Sequence, residues 1–145
     1  MLKLSKKADY GLIALRQLAT HYGKGSFSAS DIAVKYCISA PLLAKVLQKL
    51  ARHGLVTPRH GASGGYTLAR DPATISALEA ISAIEGPLFI TSCKTHRGDC
   101  EQTPTCTVRE PLSRVNDSIL QVLSTVTISQ MAEEPRSSSV VELRV

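Results

Sequence analysis

No stretch of this sequence approaches the ~18–20 uninterrupted apolar residues of a membrane-spanning helix, and its start lacks the apolar core and small-residue cleavage site of a secretory signal. That pattern excludes a membrane partner, and a cytoplasmic protein is expected. Cysteine pairs at Cys-x2-Cys spacing are missing, as is a His-x3-His pair, which disfavours the tetrahedral knuckle of a zinc site. No nucleophile and base pair, phosphate-binding loop or cofactor fingerprint is present, so neither an enzyme nor an electron carrier is expected. The 145 residues, 43% hydrophobic and 4% aromatic, suit one small domain or one with a short appendage. A large enzyme with a separate cofactor domain is excluded.

Acidic side chains are also scarce in the first half. Residues 1–70 hold two, Asp9 and Asp31, against eleven Lys and Arg, a net of +9; the other 75 residues hold ten acids and six bases, a net of −4. The overall charge of +5 hides this division. A half that is basic almost without interruption points to a polyanion partner, nucleic acid first, while the acidic half should keep away from it.

Leu4, Ala8, Leu12, Leu15, Leu18 and Ala19 recur at helical steps and predict an amphipathic helix over residues 6–22, stopped by Gly23 and Gly25. Ser28, three residues before Asp31, marks the start of a short second helix through Ile32, Ala33 and Tyr36. A third helix follows the N-cap Ser39, with Pro41 in its first turn and Leu42, Leu43, Val46, Leu47 and Leu50 as its apolar face, and ends at His53 and Gly54. The period then changes. Residues 55–57 and 66–68 read as strands enclosing a glycine-rich basic loop, so three helices and a hairpin give a winged helix-turn-helix domain. A fourth helix is expected from Ser76 to Glu85, with Ser76 and Glu79 at capping-box spacing.

On the third helix Ser39, Ala40, Leu42, Lys45 and Lys49 are the candidates for the major groove of double-stranded DNA, and Arg59, His60 and Ser63 on the wing for the adjacent groove or backbone. The competing reading is a solvated basic face on a small helical domain. Cys37, in the turn between the second and third helices, reads as a small buried thiol.

Beyond Gly86 and Pro87 lies a polar loop carrying Cys93, Cys100 and Cys106. Three thiolates on one loop can wrap an object larger than a single ion, and an iron–sulfur cluster is the common soft-ligand cofactor of that size. A fourth ligand is needed; His96, Asp99 and Glu101 stand inside the loop, and a carboxylate from another element or subunit is the alternative. A redox-active thiol trio and a loop without metal compete with this reading. From Val108 the residues Leu112, Val115, Ile119, Val122 and Val126 follow at steps of 4, 3, 4, 3 and 4, a heptad seam expected to pack on a second copy across a two-fold axis. The chain thus divides into a DNA-binding domain over 1–86, a cysteine-rich loop over 87–107, a dimerisation helix region over 108–132 and a flexible tail over 133–145, in a mainly α fold.

The opening Leu2-Lys3-Leu4-Ser5-Lys6-Lys7-Ala8-Asp9-Tyr10, the wing Gly61-Ala62-Ser63-Gly64-Gly65-Tyr66 and the three-cysteine loop after Gly86-Pro87 resemble the Rrf2-type family of dimeric bacterial winged-helix regulators, with IscR-, NsrR- and RirA-like members. Cys106-Thr107-Val108-Arg109 and Val115-Asn116-Asp117-Ser118-Ile119 are similar to its subgroup of SUF-system iron–sulfur assembly regulators. The resemblance implies a homodimer with a cluster, 2Fe–2S ahead of 4Fe–4S, held by Cys93, Cys100 and Cys106, and a repressor of cluster-assembly genes. IscR-like members take a fourth ligand from a His three residues after the last loop cysteine, but here that residue is Arg109, which cannot ligate. Asp9 matches the first-helix Asp that serves from the partner subunit in NsrR-like members, and it is the favoured fourth ligand over His96 or Asp99. A solvent-exposed carboxylate, or a partner for Lys6, is the other reading of Asp9. The same match leaves a nitric oxide or iron sensor as an alternative, and a cluster-free regulator controlled by thiols or a protein partner as another.

Overall fold

Two helix N-caps in the first third of the chain show how local chemistry places its elements. In the computed structural model, which describes residues 3–62, 64–91 and 100–133, helix α1 (Lys6–Thr20) starts where the Ser5 hydroxyl accepts the Ala8 N–H. It ends two residues short of the predicted 6–22. Helix α2 (Ala29–Tyr36) starts with a complete reciprocal capping box: the Ser28 hydroxyl accepts the Asp31 N–H at 3.0 Å, and the Asp31 carboxylate accepts the Ser28 N–H at 2.9 Å. These bonds, the backbone one first, hold the Asp31 carboxyl below its ordinary range.

Cys37 closes α2 in the left-handed conformation, φ 54° and ψ 45°, and its N–H returns to the carbonyls of Ala33 and Val34. It is exposed, which corrects the expected buried thiol: the tight turn points this residue away from the core. Helix α3 (Ala40–Arg52) follows, with Ser39 at the N-cap position but without a hydroxyl bond to the helix. The antiparallel strands β1 (Val56–Arg59) and β2 (Gly65–Leu68) form the wing, with Val56 opposite Leu68 and Arg59 opposite Gly65. Phe27 extends the pairing through a bridge to Tyr66. Gly65 sits at φ +152°, and a Cβ there would lie 2.5 Å from the Phe27 carbonyl, so the wing and the strand before α2 can approach only through glycine.

A 3-10 turn (Pro72–Thr74) leads into helix α4 (Ala77–Glu85). The Ser76 hydroxyl caps the Glu79 N–H, while the Glu79 carboxylate pairs with Arg70. After the cysteine-bearing segment come helices α5 (Arg109–Thr125) and α6 (Ile128–Ala132). Leu15, Ile32, Leu43, Leu47, Leu50, Leu55, Ile75 and Ile84 make one core, and Ile128 of α6, fully buried, belongs to it. The Ala77 N–H donates to Val126 O at 2.8 Å, Ile128 N–H to Ile75 O at 2.9 Å, and Arg16 Nε to Met131 O at 2.9 Å. Residues 109–125 lie outside this core, whereas α6 belongs to it, because the Ile128 side chain fills space beside α1.

The architecture is mainly α with a two-stranded wing, as the helix, helix, helix, hairpin order predicts. Ser63, Cys93, His96, Asp99 and the tail residues 134–145 lie outside the described residues.

Two measurements check this local chemistry. Because the folded-state pKa of Asp31 is depressed, its contribution to stability is present at neutral pH and lost as pH falls through that pKa. Between about pH 5 and pH 2 the wild type should lose more stability than Asp31→Asn in urea titrations; parallel losses would contradict the capping box. Gly65→Ala should cost about 1–3 kcal/mol through strain and backbone overlap, read as a lower urea midpoint at constant slope, and an unchanged midpoint would contradict the close approach.

Candidate nucleic-acid interface and cysteine loop

Helix α3 is held by its buried face, Leu43, Val46, Leu47 and Leu50, which leaves the opposite side to solvent. Pro41, Lys45, Gln48 and Arg52, at steps of four, three and four, are all exposed and form one stripe along that side. Lys45 therefore lies at the centre of the free face. Ser39 is exposed at the helix start, Ala40 and Leu42 are half-buried on its flanks, and Lys49 is exposed but donates from Nζ to the Ile84 carbonyl at 3.2 Å. That bond places the Lys49 ammonium at the C-terminal end of α4, where the helix dipole favours a cation, and draws it off the stripe. Lys45 and Lys49, both candidates for the groove, thus differ in how free their ammonium groups are. Gln48 and Arg52 were not among the sequence candidates; their signal was the helical spacing from Lys45 opposite the leucines.

A buried polar hub sets the tilt of α2. Gln17 is 3% exposed, and its Oε1 accepts from Lys35 Nζ and from the Tyr36 hydroxyl, each at 2.7 Å. Burial of an amide is costly unless bonded, so this carbonyl fixes the end of α2, and hence the turn before α3, against α1. Next to it His21 meets Phe27 edge-on, with ring centres 4.8 Å apart, where the chain enters the bridge to the wing. On the wing Arg59 and His60 are exposed, and Arg59 Nε donates to Thr67 Oγ1 at 3.2 Å, which orients the guanidinium along the hairpin.

In the cysteine loop, Cys100 and Cys106 are half-buried free thiols. The segment between them turns tightly: Thr103 N–H donates to Cys100 O at 3.1 Å and Thr105 N–H to Gln102 O at 3.0 Å, and the chain then enters α5. Uncommitted soft donors on a short turned segment suit an iron–sulfur cluster. Cys93 is outside the described residues, and among those described no group of three His, Cys, Asp or Glu side chains converges on a metal site. Asp9 lies exposed in the first turn of α1 and is not paired with Lys6. Arg109 opens α5. The heptad positions Val108, Leu112, Val115 and Val122 are exposed. No helix among the described residues is long and apolar enough to cross a membrane.

The family model Rrf2, iron-dependent transcriptional regulator, matches residues 4–134. The HTH-type transcriptional regulator IscR of Vibrio vulnificus is 29% identical over 133 residues, covering 92% of this chain and 79% of that protein. Among solved structures, T. potens IscR is 34% identical with a TM-score of 0.72, covering 96% of this chain and 94% of its own. CymR, the global cysteine regulator of B. subtilis, is 32% identical with a TM-score of 0.73, covering 91% and 97%. These relatives are regulators, not enzymes.

The geometry of α3 ranks its lysines. Lys45→Ala should weaken duplex DNA binding by about 1–2 kcal/mol, roughly tenfold, and Lys49→Ala by clearly less, in anisotropy titrations at one salt concentration. Equal losses would contradict the placement of Lys49.

Proposed function

The chain belongs to the Rrf2 family of transcriptional regulators, and from that premise we propose that it is a homodimeric repressor whose hold on an operator depends on an iron–sulfur cluster and which controls cluster-assembly genes in the cytoplasm. The observation that carries the DNA reading is the exposed stripe of Pro41, Lys45, Gln48 and Arg52 on a helix locked into the core by its other face, beside a basic wing. In a major groove, Lys45 and Arg52 can meet phosphates or guanine edges and Gln48 the edge of adenine. Arg59 and His60, exposed on the wing, would meet the neighbouring groove or backbone, with Ser63 as a further candidate from the sequence.

Cys93, Cys100 and Cys106 would hold the cluster, 2Fe–2S in preference to 4Fe–4S, and because Arg109 cannot ligate, the fourth ligand would be Asp9 from the partner subunit, on its match to the first-helix Asp of NsrR-like members. The chemistry a cluster supplies here is assembly and loss according to iron and sulfide supply. The residues themselves do the rest. Cys106 lies just before α5, so tension or slack between Cys100 and Cys106 bears directly on the helix that carries the apolar seam. Two reading helices must meet half-sites about one helical turn apart, and a small change of angle becomes misregister at the groove. Decisive switching requires the two states to differ by a few kcal/mol in DNA affinity.

A second reading, a cluster-free regulator controlled by thiols, is favoured by one observation: Cys37 is exposed in the turn before the reading helix, in a chain similar to a cysteine regulator. A nitric oxide or iron sensor rests on Asp9.

Protein purified without oxygen should carry iron and sulfide in stoichiometric amounts, and removing them should change operator affinity at least tenfold, with binding that falls steeply as salt rises. Identical binding by both forms would contradict the mechanism, and a protein free of iron and sulfide would favour the thiol reading. Comparing loss of the cluster to nitric oxide, oxygen and chelator separates the remaining alternative. Asp9→Ala should leave the fold intact and make the cluster more labile; an unchanged spectrum and lifetime would remove Asp9 from the ligand set.

A further inference from the structure

Asn116 is the one buried residue on α5, a 17-residue helix otherwise open to solvent or half-covered. It is 3% exposed and borders an apolar cleft of about 370 Å3 whose walls include Leu4, Leu88, Phe89, Ile119 and Leu123. A primary amide in such a place is retained only if its polar atoms are bonded. Its Oδ1 accepts the N–H of Ile90 at 3.1 Å, across 26 residues of sequence, and its Nδ2 donates to the neighbouring Asp117 carboxylate at 3.5 Å. Ile90 stands three residues before Cys93.

The other end of this segment is held as well. Where α4 ends, Lys49 of α3 donates to the Ile84 carbonyl, and the Glu85 carboxylate accepts the Ser5 N–H at 3.0 Å. The chain thus leaves the reading helix's neighbour at one fixed point and approaches its first loop cysteine from another, and the second point is fixed to α5 by Asn116.

We propose that Asn116 is a positioning residue that sets where the chain enters the cysteine-bearing segment, and that through this bond the retention of metal by the loop is tied to helix α5. The proposal rests on the cluster reading above. Two variants separate the bond from the packing: Asn116→Leu keeps the branched shape and removes the acceptor, while Asn116→Asp keeps an acceptor oxygen in the same place.

The experiment uses the full chain in two measurements. In the metal-free protein, hydrogen exchange at the Ile90 amide should accelerate more than tenfold in Asn116→Leu and stay near the wild-type rate in Asn116→Asp. In protein loaded anaerobically with iron and sulfide, release to a chelator should be several-fold faster in Asn116→Leu, with Asn116→Asp restoring most of the wild-type lifetime. Unchanged Ile90 exchange, or equal release from loaded wild type and Asn116→Leu, overturns the proposal and leaves the cluster reading standing. A wild-type chain that takes up no iron or sulfide, yet shows the exchange difference, overturns the cluster reading and the link to metal retention with it.

Discussion

The burial of Ile128 in the core built by α1, α3 and α4 is the constraint on which the rest of this molecule depends. A fully buried Ile contributes about 1.5–3 kcal/mol relative to an exposed one, and here that contribution is spent on bringing the far end of the chain back to its first helix. The bridge between Ser76 and Thr127 and the bond from Arg16 to the Met131 carbonyl seal the return. As a result α5 is anchored at its C-terminal end to the domain that carries α3, and at Asn116 to the segment leaving α4. A helix secured in this way cannot swing freely, so the direction of its exposed seam is referenced to the direction of the reading stripe.

That reference gives the two halves of the charge distribution a common purpose. The basic half carries Lys45, Arg52 and the wing, exposed on a packed core, while the acidic remainder, ten acids against six bases, supplies α5 and the cysteine loop. A change at Cys100 or Cys106 meets a helix whose two attachments already lead back to α3, one through Lys49 and Ile84 and the other through Ile128. Under the proposed function, these packed side chains and few hydrogen bonds are where coupling between the loop and α3 would have to run.

Much of this was legible in the sequence because it is local. The Ser28 and Asp31 capping box, the leucine face of α3, the glycine-rich wing and the heptad steps after Val108 each involve residues within one or two turns, and the structure places the corresponding helices and hairpin within two residues of their predicted bounds. What escaped depends on contacts between distant segments. Cys37 looked like a core thiol until the αL turn exposed it; the bond of the Lys49 ammonium to the end of α4, thirty-five residues on, leaves no trace in the helical pattern. The buried role of Ile128 carries no signal of its own, since a single isoleucine on a five-residue helix has no periodicity. Asn116 reads from sequence as one more polar residue between seam positions, and only the approach of Ile90 shows why an amide is needed there. The cysteine loop was legible as donor chemistry, because thiolate character belongs to residue type, whereas no residue type by itself names a fourth ligand.

The central claim, that α5 joins two copies through Leu112, Val115 and Val122 and so sets the spacing of two reading helices, is tested most directly by sedimentation velocity at micromolar concentration. The account predicts a dimer for the wild type and a folded monomer for the double variant Val115→Glu, Val122→Glu, with helical content unchanged by circular dichroism. A monomeric wild type, or a variant that remains dimeric, would contradict it.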